Sequence, residues 1–183
     1  MKMTEELRLI DPTEGLREEY LDYIEEFRQA GEVEAPGSGW HAGDTFESLI
    51  GRIRDYARGR NLPEGWVPDS TYWLLRSSRL IGACDIRHRL TEALTDFGGH
   101  IGYAIRPRER GKGYGTTMLE LALEKARDLG ISRVLVTCDK RNIASARVIQ
   151  KNGGVLDSES HSQRAGRVTQ RYWIEPAEGS EGT

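Results

Sequence analysis

The chain has 183 residues, of which 37% are hydrophobic and 30% are charged, and its formal net charge is −3. This length fits one domain whose core needs neither disulfides nor a metal, and the acidic balance argues against general nucleic-acid binding, which requires a basic field. Because no apolar run is long enough to cross a membrane and the start has no signal-peptide pattern, we expect a cytoplasmic protein without membrane partners.

The spacing of apolar residues predicts an α/β chain in which one strand and two helices precede three strands, after which strands and helices alternate. The predicted strands are 7–10, 71–76, 80–87, 100–105, 133–138, 155–160 and 168–173. The predicted helices are 11–30, 44–56, 114–129 and 142–151. We therefore expect a mixed central sheet of about six to seven strands flanked by about four helices.

The organisation of the chain favours a single domain over residues 1–175. Internal repeats and linkers that would divide it are absent from the sequence. The small, polar residues 176–183 are typical of a disordered C-terminal tail. Cys84 and Cys138 lie in apolar, strand-like segments without CxxC spacing, which predicts reduced core residues. The four histidines have no metal-ligand spacing, so no metal is predicted.

A glycine-rich run lies between the strand that ends at residue 105 and the helix that begins at residue 114. Its residues are Arg110, Gly111, Lys112, Gly113, Tyr114 and Gly115. Glycine reaches positive φ without penalty, so successive backbone amides can form one concave site. The N-terminus of the following helix adds unpaired amides and the positive end of its dipole. The run predicts a binding site for a phosphate group.

Two common phosphate-binding loops do not fit this run. The dinucleotide fingerprint requires a glycine where the chain has Thr116. A P-loop requires serine or threonine after Gly-Lys, but Gly113 follows Lys112. The pattern that remains is Arg-x-x-Gly-x-Gly, preceded by Ile-Arg-Pro.

The segment from Ile101 to Gly115 resembles the acetyl-CoA signature of the GNAT N-acetyltransferases, in which a strand ends at a proline before this loop. A second segment, from Asn142 to Gly154, is similar to the family's Asn-x-x-[Ala/Ser] helix. The two motifs occur in the family's order, with the expected elements between them. The resemblance implies a GNAT-like fold. The alternative is a structural strand-turn-helix whose glycines serve close packing.

The resemblance also implies acetyl-CoA as co-substrate and a set of residues that hold it. These are Ile105, Arg110, Gly111, Lys112, Gly113, Tyr114, Gly115, Thr116, Asn142 and Ser145. In this interpretation the glycine-run amides bind the pyrophosphate, the two cations neutralise it, and the threonine adds a hydroxyl. The backbone of the isoleucine pairs with the pantetheine arm as an added strand would. The asparagine contacts that arm, and the serine either contacts it or serves helix packing.

An acceptor amine of ordinary pKa is neutral about once in a few thousand molecules at pH 7, so the reaction needs a base. The candidates are His100, which begins a strand where some family members place a base, and Asp85, which lies inside an apolar strand. Each has a structural alternative. The histidine can be a hydrogen-bonded strand end, and the aspartate can form an ion pair with Arg87 on the same face.

The general acid is unassigned, because Ile149 stands where many GNAT enzymes carry a tyrosine. Tyr103, Tyr114 or Tyr172 can replace it, although packing in the fold is the favoured role of each. The leaving thiol resembles that of cysteine, with a pKa of about 8.5, so a thiolate can also leave without an acid.

The expected function is transfer of an acetyl group from acetyl-CoA to a primary amine of a small molecule or peptide by direct attack. The alternatives are a non-catalytic acyl-CoA-binding or sensing module, and an enzyme for longer acyl-CoA. Residues 31–70 and the last hairpin form the expected acceptor side, with Trp40, His41, Trp66 and Asp69 as candidate lining. The expected partners are acetyl-CoA and the amine, and a homodimer is left open.

Overall fold

The computed structural model describes residues 6–32, 37–41, 43–163 and 166–175. Within these ranges the chain forms seven strands and five α-helices, which confirms the α/β class and the upper strand count. None of the helices in these ranges has the length and hydropathy to span a bilayer. The predicted tail 176–183 lies outside the described residues.

Each predicted strand is present, with ends shifted by at most two residues. The strands are β1 Leu7–Ile10, β2 Asp69–Arg76, β3 Arg79–Arg87, β4 Ile101–Ile105, β5 Val134–Asp139, β6 Val155–Ser162 and β7 Arg167–Ile174. The helices are α1 Arg17–Gln29, α2 Phe46–Ala57, α3 Glu92–Asp96, α4 Tyr114–Asp128 and α5 Ile143–Lys151. Single 3₁₀ turns occupy Glu14–Leu16 and Pro107–Glu109.

Helix α3 is the element that the sequence did not predict. It has five residues, which is too short for apolar residues to recur at helical spacing. The side chain of Thr91 caps it by accepting a hydrogen bond from the backbone N–H of Leu94. The five helices therefore exceed the four expected by this single short segment.

The strands form two antiparallel sheets, in the orders β1-β2-β3-β4 and β5-β7-β6, where the sequence predicts one mixed sheet. The sheets meet where the backbone N–H of His100 donates to the carbonyl of Leu135. Three residues further along, Tyr103 on β4 and Cys138 on β5 are connected through Ser145 of α5. The Ser145 hydroxyl is hydrogen-bonded to the Tyr103 hydroxyl and to Cys138. Strands β4 and β5 thus run in the same direction and diverge, leaving between them a gap that we call the cleft.

Two hydrophobic clusters cover opposite faces of the first sheet. The cluster under α4 and α5 also spans the second sheet and includes Ile81, Ile86, Met118, Leu119, Val136, Ile149 and Tyr172. The cluster under α1 and α2 includes Tyr20, Tyr23, Phe27, Phe46, Leu49 and Trp73. Cys84 and Cys138 are buried and free, as predicted.

A buried ion cluster attaches α1 to the end of β4. The guanidinium of Arg106 lies 3.2 Å from Glu19, 2.8 Å from Asp22 and 3.5 Å from Glu26, all on α1. Its side chain is only 1% exposed, and it also lies over the ring of Tyr23. A fully buried cation needs such partners, because removal from water is costly.

We expect Arg106→Met to lower the free energy of unfolding by about 3 kcal/mol, because it leaves the buried Glu26 carboxylate without its cation. Urea denaturation measures this change. Arg108→Met, at an exposed position two residues away, serves as the control and should unfold near the wild-type midpoint. Equal midpoints for both variants would contradict a stabilising role for the cluster.

Candidate active site

Hydrogen bonding to β3 alternates along β4. The backbone N–H of Arg87 donates to the carbonyl of His100 at 2.8 Å, and that of Arg106 donates to the carbonyl of Ile81 at 2.9 Å. In an antiparallel ladder the residues between these two points alternate, so the even-numbered residues of β4 bond to β3. The odd-numbered residues present their N–H and C=O groups to the opposite edge.

That opposite edge lines the cleft. Tyr103 and Ile105 therefore direct backbone amide groups into the space where β4 and β5 have separated. An extended ligand with amide groups of its own can pair with such an edge as an additional strand would. This geometry fits the role that the sequence assigns to Ile105.

The loop after β4 brings exposed amides to the start of α4. Gly111 and Gly113 have φ values of 77° and 88°, in the left-handed region, and Gly113 is the N-cap of α4. A Cβ at either glycine would meet no described atom within 4 Å, so the loop faces open space. Gly115 lies against α5, where an added Cβ would be 3.4 Å from Val148. The arrangement fits a pyrophosphate.

Both cations of the glycine run have carboxylate partners. Arg110 contacts Glu32 at 2.6 and 2.9 Å, and its Nε donates to the carbonyl of Ile105 at 3.0 Å. Lys112 lies 2.8 Å from Glu109 and lowers the pKa of that carboxyl through the hydrogen bond. A bound phosphate would therefore compete with these carboxylates for the two cations.

Two other predicted cofactor residues fix the first turn of α4 to its neighbours. The hydroxyl of Tyr114 accepts a hydrogen bond from Arg76 at the end of β2. The carbonyl of Thr116 accepts from the side-chain amide of Asn152, just after α5, at 3.2 Å. These contacts hold the loop in place relative to the first sheet and to α5.

The second sequence motif meets the first at the mouth of the cleft. The side chain of Asn142 caps α5 by accepting from the backbone N–H of Ser145 at 3.0 Å. The hydroxyl of Ser145 lies 2.9 Å from that of Tyr103, and burial raises the pKa of Tyr103 to about 12. Both residues of the motif therefore border the cleft, although the cap itself is a structural contact.

The isoleucine at the family's tyrosine position and two of the candidate tyrosines lie in different surroundings. Ile149 is fully buried in the core. The hydroxyl of Tyr172 donates to Gln170 at 2.9 Å, and burial raises the pKa of Tyr172. Tyr103 is the tyrosine whose hydroxyl stands next to Ser145, at the cleft.

His100 lies at the point where the two sheets join. It is 6% exposed, its Nδ1 accepts a hydrogen bond from the backbone N–H of Leu135 at 2.9 Å, and its ring contacts Trp173 edge-on. Burial, reinforced by the charge of Arg87, lowers the pKa of His100 to about 4. These contacts explain His100 as a neutral imidazole with a structural role. Its role as the base stays a prediction.

Asp85 forms the ion pair with Arg87 that its sequence position suggested, at 2.8 Å. Burial raises the pKa of Asp85, while the arginine opposes this effect. A Cβ built on Gly102 would lie 2.7 Å from the carboxylate, so this glycine lets Asp85 lie against β4. Arg87 also donates to the carbonyl of Gly98 at 3.1 Å.

Two adjoining cavities of about 270 and 300 Å³ open on the α1 and α2 face of the first sheet. Trp66, Asp69 and Arg87 line both of them. The structure thus brings together the residues expected on the acceptor side, since Trp40 and His41 also line the larger cavity. Among the described residues, no cluster of three or more His, Cys, Asp or Glu side chains could hold a metal.

Residues 12–155 match the family model of the acetyltransferase (GNAT) domain. The chain therefore belongs to the GNAT acetyltransferase family, which confirms the resemblance read from the two motifs. It is accordingly an acyltransferase with acetyl-CoA as co-substrate. No curated protein matches the sequence.

Solved structures with the same fold include three acetyltransferases. The Salmonella typhimurium enzyme that modifies the N-terminal serine of ribosomal protein L7/L12 has a TM-score of 0.66 at 16% identity, with 92% of this chain and 94% of that chain covered. YncA from Salmonella typhimurium, with its cofactor acetyl-CoA, has a TM-score of 0.61 at 14% identity, covering 97% and 98%. A spermidine N-acetyltransferase chimera from Vibrio cholerae has a TM-score of 0.63 at 14% identity, covering 93% and 95%. At these identities the likeness shows the fold.

We expect Gly113→Glu to abolish measurable acetyl-CoA binding in calorimetry, because it places a side chain and a negative charge at the proposed phosphate site. Gly130→Glu is a matched control at the other end of α4. Gly130 also has a positive φ, of 81°, and open space around a Cβ, so the two variants share the backbone strain. Equal loss of affinity in both variants would assign the effect to strain and not to the site.

Proposed function

We propose that this protein transfers the acetyl group of acetyl-CoA to a primary amine of a small molecule or peptide, by direct attack of the amine. The observation that carries the proposal is the position of β4. Its edge at Tyr103 and Ile105 faces the cleft, where the Ile105 carbonyl accepts from Arg110, and its face at Gly102 lies against Asp85, which lines the larger cavity. Donor and acceptor sites on one short strand would hold both reactants close together.

Different residues at the cleft bind different parts of acetyl-CoA. Amides from Arg110 to Gly115 bind the pyrophosphate, and the edge of β4 pairs with the pantetheine amides. Asn142 and Ser145 border the same arm. Acetyl-CoA, when bound, supplies a thioester that is already electrophilic, so the protein's tasks are positioning and proton transfer.

In the proposed reaction the neutral amine attacks the acetyl carbonyl carbon. A C–N bond forms, the C–S bond breaks, and the electron pair leaves with the sulfur. Backbone N–H groups on the cleft edge of β4 can stabilise the developing oxyanion. Because the leaving thiol has a pKa near that of cysteine, the thiolate can leave without a general acid. No residue is therefore assigned to that role.

Two of the related structures give support for an amine acceptor. One neighbour is named for spermidine and another for the N-terminal serine of a ribosomal protein, and both acceptors are amines. These acceptors differ greatly in size and charge, so the identity of the amine for this chain must come from its own cavities.

The alternative function is a non-catalytic acyl-CoA-binding or sensing module. The observation that favours it is the absence of a donor at position 149, where Ile149 is buried in the core. The contacts of His100 and Asp85 also favour the binding module, because a structural role explains each residue without a catalytic one.

Release of free CoA separates the two functions. The protein is mixed with acetyl-CoA and a panel of primary amines, and the thiol is detected with a chromogenic reagent. An enzyme releases CoA in proportion to an acetylated product. Calorimetric binding of acetyl-CoA without release on any amine would favour the binding module.

Three further statements stay predictions. They are a single domain over residues 1–175, a homodimer and a cytoplasmic location. Size-exclusion chromatography with light scattering measures the assembly directly.

We expect His100→Ala to lower stability by about 1–3 kcal/mol, because it leaves the buried N–H of Leu135 without its acceptor. The pH dependence of kcat should keep its shape in this variant. Stopped-flow or steady-state rates between pH 5 and 9 check this expectation. A lost pH dependence with unchanged thermal stability would instead support the predicted role of His100 as the base.

A further inference from the structure

The two arginines of the acceptor cavities are already neutralised. Arg52 binds both carboxylate oxygens of Asp44 at 2.6 Å and donates to the carbonyl of Gly39. Arg87 pairs with Asp85 and donates to backbone carbonyls near the start of β4. A carboxylate or phosphate of a substrate would therefore have to displace Asp44 or Asp85 to bind either guanidinium.

Asp69 carries the uncompensated charge of these cavities. It begins β2, lies opposite Arg87 in the ladder and lines both cavities. In the part of the chain that the structure describes, it has neither an ion pair nor a side-chain hydrogen bond. The charged groups around it are Asp85 and Arg87 on β3 and Arg52 on α2, with His41 on the cavity wall. Burial, reinforced by Asp85, raises the pKa of Asp69 to about 7.

The walls around this carboxylate are aromatic and apolar. Trp66 lines both cavities and contacts His41 and Tyr56 at ring distances of 6.1 and 5.8 Å. Its side chain nevertheless stays 46% exposed, so an aromatic face remains open to a ligand. The smaller cavity continues between Leu94 and Phe97, and Asp69 and Arg87 are the charged groups among its described lining residues.

The cavities border the closed end of the cleft. The smaller one includes Gly98, whose backbone N–H donates to the hydroxyl of Thr137 on β5 at 3.0 Å. The larger one includes Asp85, which lies against Gly102 of β4. An amine near Asp69 therefore lies on the same face of the first sheet and is separated from β4 by one strand, β3.

We propose that Asp69 binds the ammonium group of the acceptor and takes its proton, and that the acceptor is a primary amine with one positive charge and an aromatic-sized apolar body. This inference rests on the proposed acetyltransferase function. One uncompensated carboxylate matches one cation, and the aromatic walls suit its apolar part. A second ammonium or a carboxylate on the substrate would be left without a partner.

The proton balance of the step is simple. The ammonium R–NH₃⁺ gives one proton to the carboxylate of Asp69, and the resulting amine attacks the acetyl carbon. After the C–S bond breaks, the second proton of the nitrogen ends on the sulfur, which gives free CoA. The proton held by Asp69 then passes to water, so the products are the amide, the thiol and one proton.

The first test compares three amines as acceptors. They are 2-phenylethylamine, with one charge and an aromatic ring, phenylalanine, with an added carboxylate, and spermidine, with several charges. We expect kcat/KM to be highest for 2-phenylethylamine and roughly 100-fold lower for phenylalanine, because its carboxylate would meet Asp69 without a free cation. A preference for spermidine or phenylalanine would overturn the acceptor class.

The second test uses Asp69→Asn, which keeps the shape of the side chain and removes the charge. We expect about a 100-fold loss of kcat/KM for 2-phenylethylamine, with unchanged acetyl-CoA affinity and thermal stability. Glu64→Gln, an exposed carboxylate on the adjoining loop, is the matched control and should match wild type. Wild-type activity in Asp69→Asn would overturn the role of Asp69.

A pH profile and a less basic substrate separate proton transfer from binding alone. A carboxylate base acts when deprotonated, so kcat/KM of the wild type, which reports the free enzyme, should fall as the pH drops through about 7, the pKa of Asp69. The β,β-difluoro analogue of 2-phenylethylamine is far less basic, and Asp69→Asn should lose much less activity with it. An equal loss with both amines would remove the proton-transfer role.

The outcomes also distinguish this inference from the function on which it rests. Acetylation of other amines, but not of 2-phenylethylamine, would overturn the acceptor class and leave the acetyltransferase function standing. Binding of acetyl-CoA without turnover on any amine would overturn both.

Discussion

The divergence of β4 from β5 is the constraint on which the rest of this structure depends. The two strands share backbone hydrogen bonding only where His100 meets Leu135, and at the other end a pair of hydroxyls, on Tyr103 and Ser145, spans the gap. An unpaired strand edge is costly when it is buried and prone to pairing when it is exposed. A ligand that forms hydrogen bonds like a strand would pair with this edge, and the proposed phosphate site in the glycine loop lies at the same end of β4.

Most of the charged side chains near the proposed sites form ion pairs, so a charged group without an ion pair is informative. Buried Arg106 fixes α1 to the end of β4, and Glu32, just after α1, holds Arg110 of the cofactor loop. Donor binding would therefore exchange one anion for another at Arg110, at the base of the loop that leads to the acceptor cavities. In those cavities the arginines are neutralised and Asp69 is not. The proposed donor site therefore has paired cations, and in the proposed acceptor cavities Asp69 is the described carboxylate without an ion pair.

The sequence predicted the elements well because their signals are local. Apolar periodicity located the seven strands of the described residues, and the glycines with Asn142 identified the family, while the donor site stays a prediction. Helix α3 has too few residues to show a period, and the division into two sheets depends on contacts between distant segments. The acceptor site was predicted only as a list of residues. The surroundings of Asp69 come from charged residues on β3 and α2 that are distant in sequence. A local sequence pattern therefore does not distinguish Asp69 from other acidic residues.

The most direct test of the account measures hydrogen exchange at the backbone amides of β4 by NMR, with and without CoA. In the free protein the N–H of Tyr103 and Ile105 should exchange much faster than that of Ala104, whose partner is β3. Added CoA should slow exchange at Tyr103 and Ile105 and leave Ala104 unchanged. Equal protection of all three amides in the free protein, or no change on adding CoA, would contradict the claim that this edge binds the donor.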